Sequence, residues 1–209
     1  MAKVFSISEL SYTTDKDGNP IDLERLLAIS AYRVEVTVHE DEADTDKPFK
    51  VDATYYNAKN DVAASLELER FFTESGTPYL DIDKLDVTET GEGVGTRIFE
   101  KVLGLAEALD IKLLSVSPCK VGSYSWAALG FYPSVGKWPD MHKEIKNRAI
   151  AMDLPEVNIS TRFDLPKFAQ ENPKELLLDL SWFGTMNLTD EEQMAHCRNY
   201  MDTKLGRGI

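Results

Sequence analysis

The sequence predicts an α/β fold of the α+β kind. Its sheet is mixed and mainly antiparallel, with splayed central strands, flanked by helices and followed by a partly helical C-terminal extension. Three observations predict it. Four runs with strand character follow one another between residues 32 and 87. A glycine-rich turn then opens a stretch of helical periodicity, and a second strand–helix pair ends at Leu129. The domain reading that follows is one domain over 1–135, with 136–209 packed on it as a partly helical extension.

Taken in order, Thr13–Pro20 is a turn, punctuated by Asp-Gly-Asn-Pro. Ile21, Leu23, Leu26 and Leu27 share one side of a short amphipathic helix. Tyr32–His39, Phe49–Tyr56, Val62–Phe71 and Tyr79–Val87 alternate or are rich in β-branched and aromatic residues, as strands are. The acidic run Glu40–Asp46 reads as a solvated hairpin tip, with a cation-binding or nucleic-acid-mimicking patch as the alternative. From Gly93 to Leu109 the apolar positions Val94, Ile98, Val102 and Ala106 repeat at helical spacing. Ile111–Ser117 reads as a buried strand and Ser123–Leu129 as a helix closed by Gly130. Beyond Pro133, the prolines at 139, 155, 166 and 173 break the chain into short pieces. Asn172-Pro173-Lys174-Glu175 predicts a helix running into Leu176–Leu180. Thr189-Asp190-Glu191-Glu192 predicts a capping box opening a last helix, with Met194, Cys197 and Met201 on one face.

The chemically suggestive segment is Thr90-Gly91-Glu92-Gly93-Val94-Gly95-Thr96, between a strand and a helix. A helix start aims unpaired N–H groups and a positive dipole end at one spot, and glycines allow close approach to the backbone. Phosphate or pyrophosphate suits such a place, though many glycine turns only make a tight connection. The NTPase phosphate loop needs Gly-Lys followed by Ser or Thr, whereas Gly95 is followed by Thr96-Arg97. A dinucleotide fold needs Gly-x-Gly-x-x-Gly and an acid ending the next strand; Gly91-x-Gly93-x-Gly95 and Ser115-Val116-Ser117-Pro118 supply neither. In the strand before the turn, Leu80 and Ile82 are apolar in one phase and Leu85 and Val87 in the other. The slip falls around Asp83–Lys84 and predicts a β-bulge there, with edge slippage or burial on both faces as alternatives.

The block Leu85-Asp86-Val87, then Gly91-Glu92-Gly93-Val94-Gly95-Thr96-Arg97-Ile98, a buried strand, and Trp126-Ala127-Ala128-Leu129-Gly130-Phe131 resembles the GNAT superfamily of N-acetyltransferases. The resemblance covers about 50 residues well and the earlier strands in outline. It implies acyl transfer, acetyl above all, from acyl-CoA to an amine on a small molecule or a protein. It further implies that backbone amides of Gly91, Glu92, Gly93, Val94, Gly95 and Thr96 hold the coenzyme A pyrophosphate. The main chain of Leu85–Val87 would pair with pantetheine like an added strand, and Arg97 would offset phosphate charge. The departures are as specific. Thr90 stands where the family prefers Arg or Gln, Glu92 where it often has a base, and Cys119 where it frequently has Asn. Trp126 occupies the place of the general-acid tyrosine, and an indole cannot supply that proton at neutral pH. The interval between the first two strands is short for the family's acceptor-lining helices, and Glu89 and Glu92 set negative charge near an anion site.

Direct transfer needs a base for the amine and an acid for the leaving thiolate. Tyr124 is the nearest tyrosine to the acid's place, two residues from Trp126 and so roughly 200° away on an ideal helix. Asp86 is the candidate base, with Glu67 and Glu69 as alternatives; each also reads as an ordinary surface carboxylate. Cys119 reads as a small buried residue at a strand end rather than an acyl-accepting nucleophile, since Lys120 is its only cationic neighbour. His39, His142 and His196 make no ligand spacing with each other or with the cysteines, so no metal is expected. Gly122-Ser123-Tyr124-Ser125-Trp126 lacks the second glycine of a nucleophile elbow.

Charge and composition bound the partners. With 36 acidic against 23 basic residues the net charge is −13, which disfavours direct nucleic-acid binding and favours cationic partners on encounter. No run approaches the roughly 18 apolar residues of a membrane span, and the N-terminus lacks signal-peptide features, so a cytoplasmic protein is expected. The two cysteines fit a reduced protein, with one disulfide as the alternative. Two rival readings remain: a catalytically silent GNAT-like binding or structural module, and an acidic phage-type inhibitor acting through protein contact. A homodimer through the stripe Met194, Cys197 and Met201 is left open.

Overall fold

The computed structural model describes residues 14–15, 17–39, 50–89, 91, 93–119, 122–155 and 157–207. The expected acidic tip at Glu40–Asp46 lies outside them. The chain forms two compact units. The described residues up to Leu114, with Lys204–Arg207, make the first; those from Ser115 to Thr203 make the second.

In the first unit, α1 (Leu23–Leu27) starts at Asp22, whose carboxylate accepts the N–H of Arg25 at 2.9 Å. Four antiparallel strands follow: β1 (Arg33–His39), β2 (Lys50–Tyr56), β3 (Val62–Phe72) and β4 (Pro78–Val87). The helix α2 (Val94–Ala108) then leads to β5 (Leu113–Val116), whose first two residues belong to the first unit and last two to the second. Neighbours run β1-β2-β3-β4-β5 and continue β5-β7-β6. The fold is thus mixed α/β with a mainly antiparallel sheet flanked by helices, as the strand and helix periods predict.

Period-two alternation explains the two faces of this sheet. Val51, Ala53 and Tyr55, Leu66 and Leu68, and Leu80 and Ile82 are buried on one side. The other side carries Lys50, Glu67, Glu69, Lys84 and Asp86 in a lattice of ion pairs. Burying a Leu or Ile is worth about 1.5–3 kcal/mol, and a half-exposed ion pair about 0–1, so the apolar face holds the sheet together. Helix α2 turns Val94, Ile98, Phe99, Val102, Leu105 and Ala106 inward, the expected stripe widened by two residues.

The second unit contains α3 (Gly122–Leu129), β6 (Tyr132–Pro133), α4 (Trp138–Ala151), α5 (Leu165–Glu171), β7 (Gly184–Asn187) and most of α6 (Glu191–Lys204). Several expectations are corrected here. Pro139 and Pro166 do not break structure; each sits in the first turn of a helix, where its missing N–H has no partner to lose. The helix expected from Lys174 is a single 3-10 turn, Lys174–Leu176. The Arg148 guanidinium takes the carbonyls of Glu175 and Leu178, and Asp179 turns left-handed with φ 60°, so the helix cannot propagate. The cap of α6 is Asp190, which accepts the N–H of Gln193 at 3.0 Å, while Thr189 bonds to Asn187. The stripe Met194, Cys197 and Met201 is buried in the monomer, so it is no exposed dimerising surface. Both cysteines are free thiols; Cys197 is buried, and Cys119 is exposed rather than buried as expected, because β5 ends before it at Val116. Among the described residues no helix is long and apolar enough to cross a membrane.

Candidate functional site

The candidate site in the first unit is built from β4 upward. Between β3 and β4 the register passes from Leu68↔Ile82 to Glu67↔Lys84, leaving Asp83 as the extra residue of a bulge. The slip returns Leu85 and Val87 to the side already occupied by Leu80 and Ile82, as the broken alternation predicts.

A second bulge fixes the strand's exit. Between β2 and β3 the register passes from Tyr55↔Ala64 to Tyr56↔Val62, which leaves Ala63 unpaired in the ladder. The Ala63 carbonyl accepts the N–H groups of Thr88 at 2.9 Å and Glu89 at 3.3 Å, and the Thr88 hydroxyl at 2.8 Å. The Glu89 carboxylate is itself gripped: Tyr32 donates its phenol O–H at 2.8 Å and Asn57 its amide N–H at 2.5 Å. These bonds, the Asn57 amide first, hold the carboxyl below its usual range. The charge of Glu89 is therefore committed to the scaffold. Sequence reasoning missed this role, because its partners lie 32 and 57 residues away and leave no local pattern.

The turn itself uses left-handed backbone at Gly91 (φ 95°) and Gly93 (φ 68°), which glycine adopts without a Cβ penalty. A Cβ on Gly91 would meet nothing within 4 Å. Gly93 is the N-cap of α2 and offers no side-chain cap, so the first N–H groups of the helix gain no side-chain acceptor there. The first intrahelical bond runs from the Arg97 N–H to the Gly93 carbonyl at 2.9 Å. Open space over Gly91 and an uncapped helix start together fit an anionic group. Val94 is buried, Gly95, Thr96 and Arg97 are half-buried, and Thr90 and Glu92 lie outside the described residues.

The other candidates fall out as follows. Asp86 is open, its side chain 70% exposed, with Lys84 at 3.4 Å. Lys50, first, and Lys84 hold Glu67 below the carboxylate range, the wrong direction for a base working near neutrality. Glu69 is 3.4 Å from Lys50. In the second unit Tyr124 is half-buried on α3, close enough to Tyr200 to add to the upward push that burial gives that phenol, to about 12. Trp126 is core, edge-on to Phe131 at 5.2 Å. His39 pairs with Asp52 at 2.6 Å, and among the described residues no cluster of His, Cys, Asp or Glu could hold a metal ion.

No family model matches the sequence, and no curated protein matches it. Solved structures to which the chain is similar include acetyltransferases. A GNAT-family acetyltransferase from Staphylococcus aureus is 14% identical, over 67% of this chain and 68% of that one, with a TM-score of 0.37. A GNAT-family acetyltransferase from Elizabethkingia anophelis, described with acetyl-CoA bound, is 13% identical over 74% and 98%, with a TM-score of 0.37. An IAA acetyltransferase from Bacillus cereus is 13% identical over 74% and 99%, with a TM-score of 0.36.

Proposed function

We propose that the chain is a divergent GNAT-type acyltransferase that moves an acetyl group from acetyl-CoA to an amine of a small molecule or protein. The observation that carries this reading is the bulged strand β4 delivering a left-handed, sterically open Gly91 to the uncapped start of α2. In it, main-chain amides from Gly91 to Thr96, Glu92 among them, bind the pyrophosphate. Leu85–Val87 offer main chain to the pantetheine arm, and Arg97 offsets phosphate charge. Asp86 takes the amine proton and Tyr124 returns one to the thiolate. The net charge of −13 favours a cationic acceptor on approach.

A second reading, a silent binding module, has its own support: the residue in the acid's place, Trp126, is packed into the core, and Glu67 is held ionised by lysines. Calorimetric titration with acetyl-CoA, followed by a free-thiol assay over a panel of amines, separates the two. Binding with amine-dependent thiol release supports the enzyme; binding without turnover supports the module. Gly91→Glu should abolish binding while Gly91→Ala, which carries the same backbone strain without the charge, should retain it. Equal affinity in both variants would remove the glycine turn as the site.

A further inference from the structure

We infer that the segment Lys204–Arg207 completes the anion site at the start of α2, with Arg207 as a positioning residue that neutralises Glu100. The inference rests on the acyl-CoA reading above.

These four residues belong to the first unit although they stand about a hundred positions after α2 in the chain. Where a Cβ of Gly93 would sit, Leu205 Cδ2 is 3.0 Å away and the Lys204 carbonyl oxygen 3.7 Å. The glycine at 93 thus serves two needs: a left-handed backbone, and room for the chain's own segment rather than for a ligand. Two residues on, the fork of Arg207 places Nη1 2.6 Å from Glu100 Oε1 and Nη2 3.0 Å from Oε2, a bidentate pair. Beside it lies a cleft of about 440 Å³, lined by Ala28–Ser30, Arg97, Glu100, Lys101, Leu205 and Arg207.

The electrostatics decide what the fork does. Glu100 shares the first turns of α2 with Arg97 and Lys101, the two basic residues of that helix. Left unpaired, its carboxylate would draw their charge and repel an arriving phosphate. Arg207 does most to hold that carboxylate ionised, with Lys101 and Arg97 acting on it less, so the clamp lessens what Glu100 draws from the two and leaves more of their charge to face an anion. The pair is half-exposed, with side chains 50% and 37% accessible, so its part in global stability is small. Its effect belongs in ligand affinity.

The test is a charge cycle on the full chain, read as the dissociation constant for coenzyme A by calorimetry alongside thermal midpoints. Arg207→Ala should weaken binding about tenfold, the size expected when one charge some ångströms from a phosphate loses its counter-charge. Arg207→Lys should recover part of that loss. In the Arg207→Ala background, Glu100→Gln should bring affinity back to within about threefold of the wild type, which a merely structural clamp would not do. Unchanged affinity in Arg207→Ala, or a double variant as weak as the single, overturns the inference while leaving the acyl-CoA reading standing. A wild-type chain that binds no coenzyme A overturns both.

Discussion

Val87 Cγ2 stands 3.2 Å from the point where a Cβ on Gly95 would sit, so the first turn of α2 is seated directly on the last residue of β4. Three glycines in five residues therefore answer three separate demands. Gly91 keeps space open, Gly93 admits Leu205, and Gly95 lets helix and strand touch. The contact predicts a size-dependent penalty. Gly95→Ala gains about 1 kcal/mol in helix propensity but must displace Val87 by a few tenths of an ångström, and we expect a small net loss. Gly95→Val should lose about 2–3 kcal/mol. Pairing Gly95→Ala with Val87→Ala removes the obstructing methyl, so the double variant should be more stable than the sum of the single changes requires. Urea midpoints for the four chains check this, and additive midpoints would refute the contact.

Glu89 makes a prediction about pH. Its carboxyl is held below its ordinary value of 4.5 by bonds from Asn57 and Tyr32. A group whose folded pKa is depressed adds stability above its unfolded pKa and loses it as pH falls through the folded one. Wild type should therefore outlast Glu89→Gln at pH 7, and the gap should close below pH 4.5. A gap that stays constant across that window would show that the two bonds do not depend on the charge.

The thiols give a prediction that needs no ligand. Cys119 is exposed, whereas Cys197 is fully buried in α6 and burial pushes its thiol up to about 12. A thiol reagent at pH 8 should modify one cysteine in the native chain and two after denaturation, and Cys119→Ser should abolish the native reaction. Rapid labelling of two thiols under native conditions would contradict the packing of α6.

What could be read beforehand follows from where each signal is written. The four strands and α2 were legible to within a residue or two because alternation and 3.6-residue spacing are local. The bulge at Asp83 was legible because it flips the phase of Leu85 and Val87. Helix α4 was missed by weighting Pro139 as a breaker, although Met141, Ile145 and Ala149 recur at four-residue spacing behind it. Proline ends a helix from its interior and starts one from its first turn, and the residue alone does not say which. The grip of Ala63, Tyr32 and Asn57 on the turn, and of Arg207 on Glu100, had no trace in the sequence. Such contacts depend on strand neighbours and chain return, which no window of residues contains.

Gln193 carries the last prediction. It is 1% exposed, yet all of its amide is used: Nε2 donates to the Gly130 carbonyl at 2.6 Å and more weakly to Thr185 at 3.4 Å, and Oε1 accepts the Asn187 N–H at 2.9 Å. One side chain of α6 thereby ties the Leu129-Gly130-Phe131 corner to strand β7. Gly130 has φ 110°, and a Cβ there would lie 3.5 Å from His196 and Met186, so the corner cannot relax toward a new partner cheaply. Removing the amide strands the buried Gly130 carbonyl, which costs about 1–3 kcal/mol when left unpaired, whereas the N–H of the exposed Asn187 can turn to water. Gln193→Ala should therefore cost about 2 kcal/mol in denaturant unfolding. Gln193→Glu should cost a comparable amount at neutral pH, because its carboxylate can accept from Asn187 but cannot donate to Gly130. As pH falls, the carboxyl introduced by Gln193→Glu takes up a proton, above the ordinary carboxyl range because the site is buried, and regains that donor, so this variant should recover relative to Gln193→Ala on acidification. Two variants that stay parallel across the titration would mean that the bond to Gly130 is not what holds the corner.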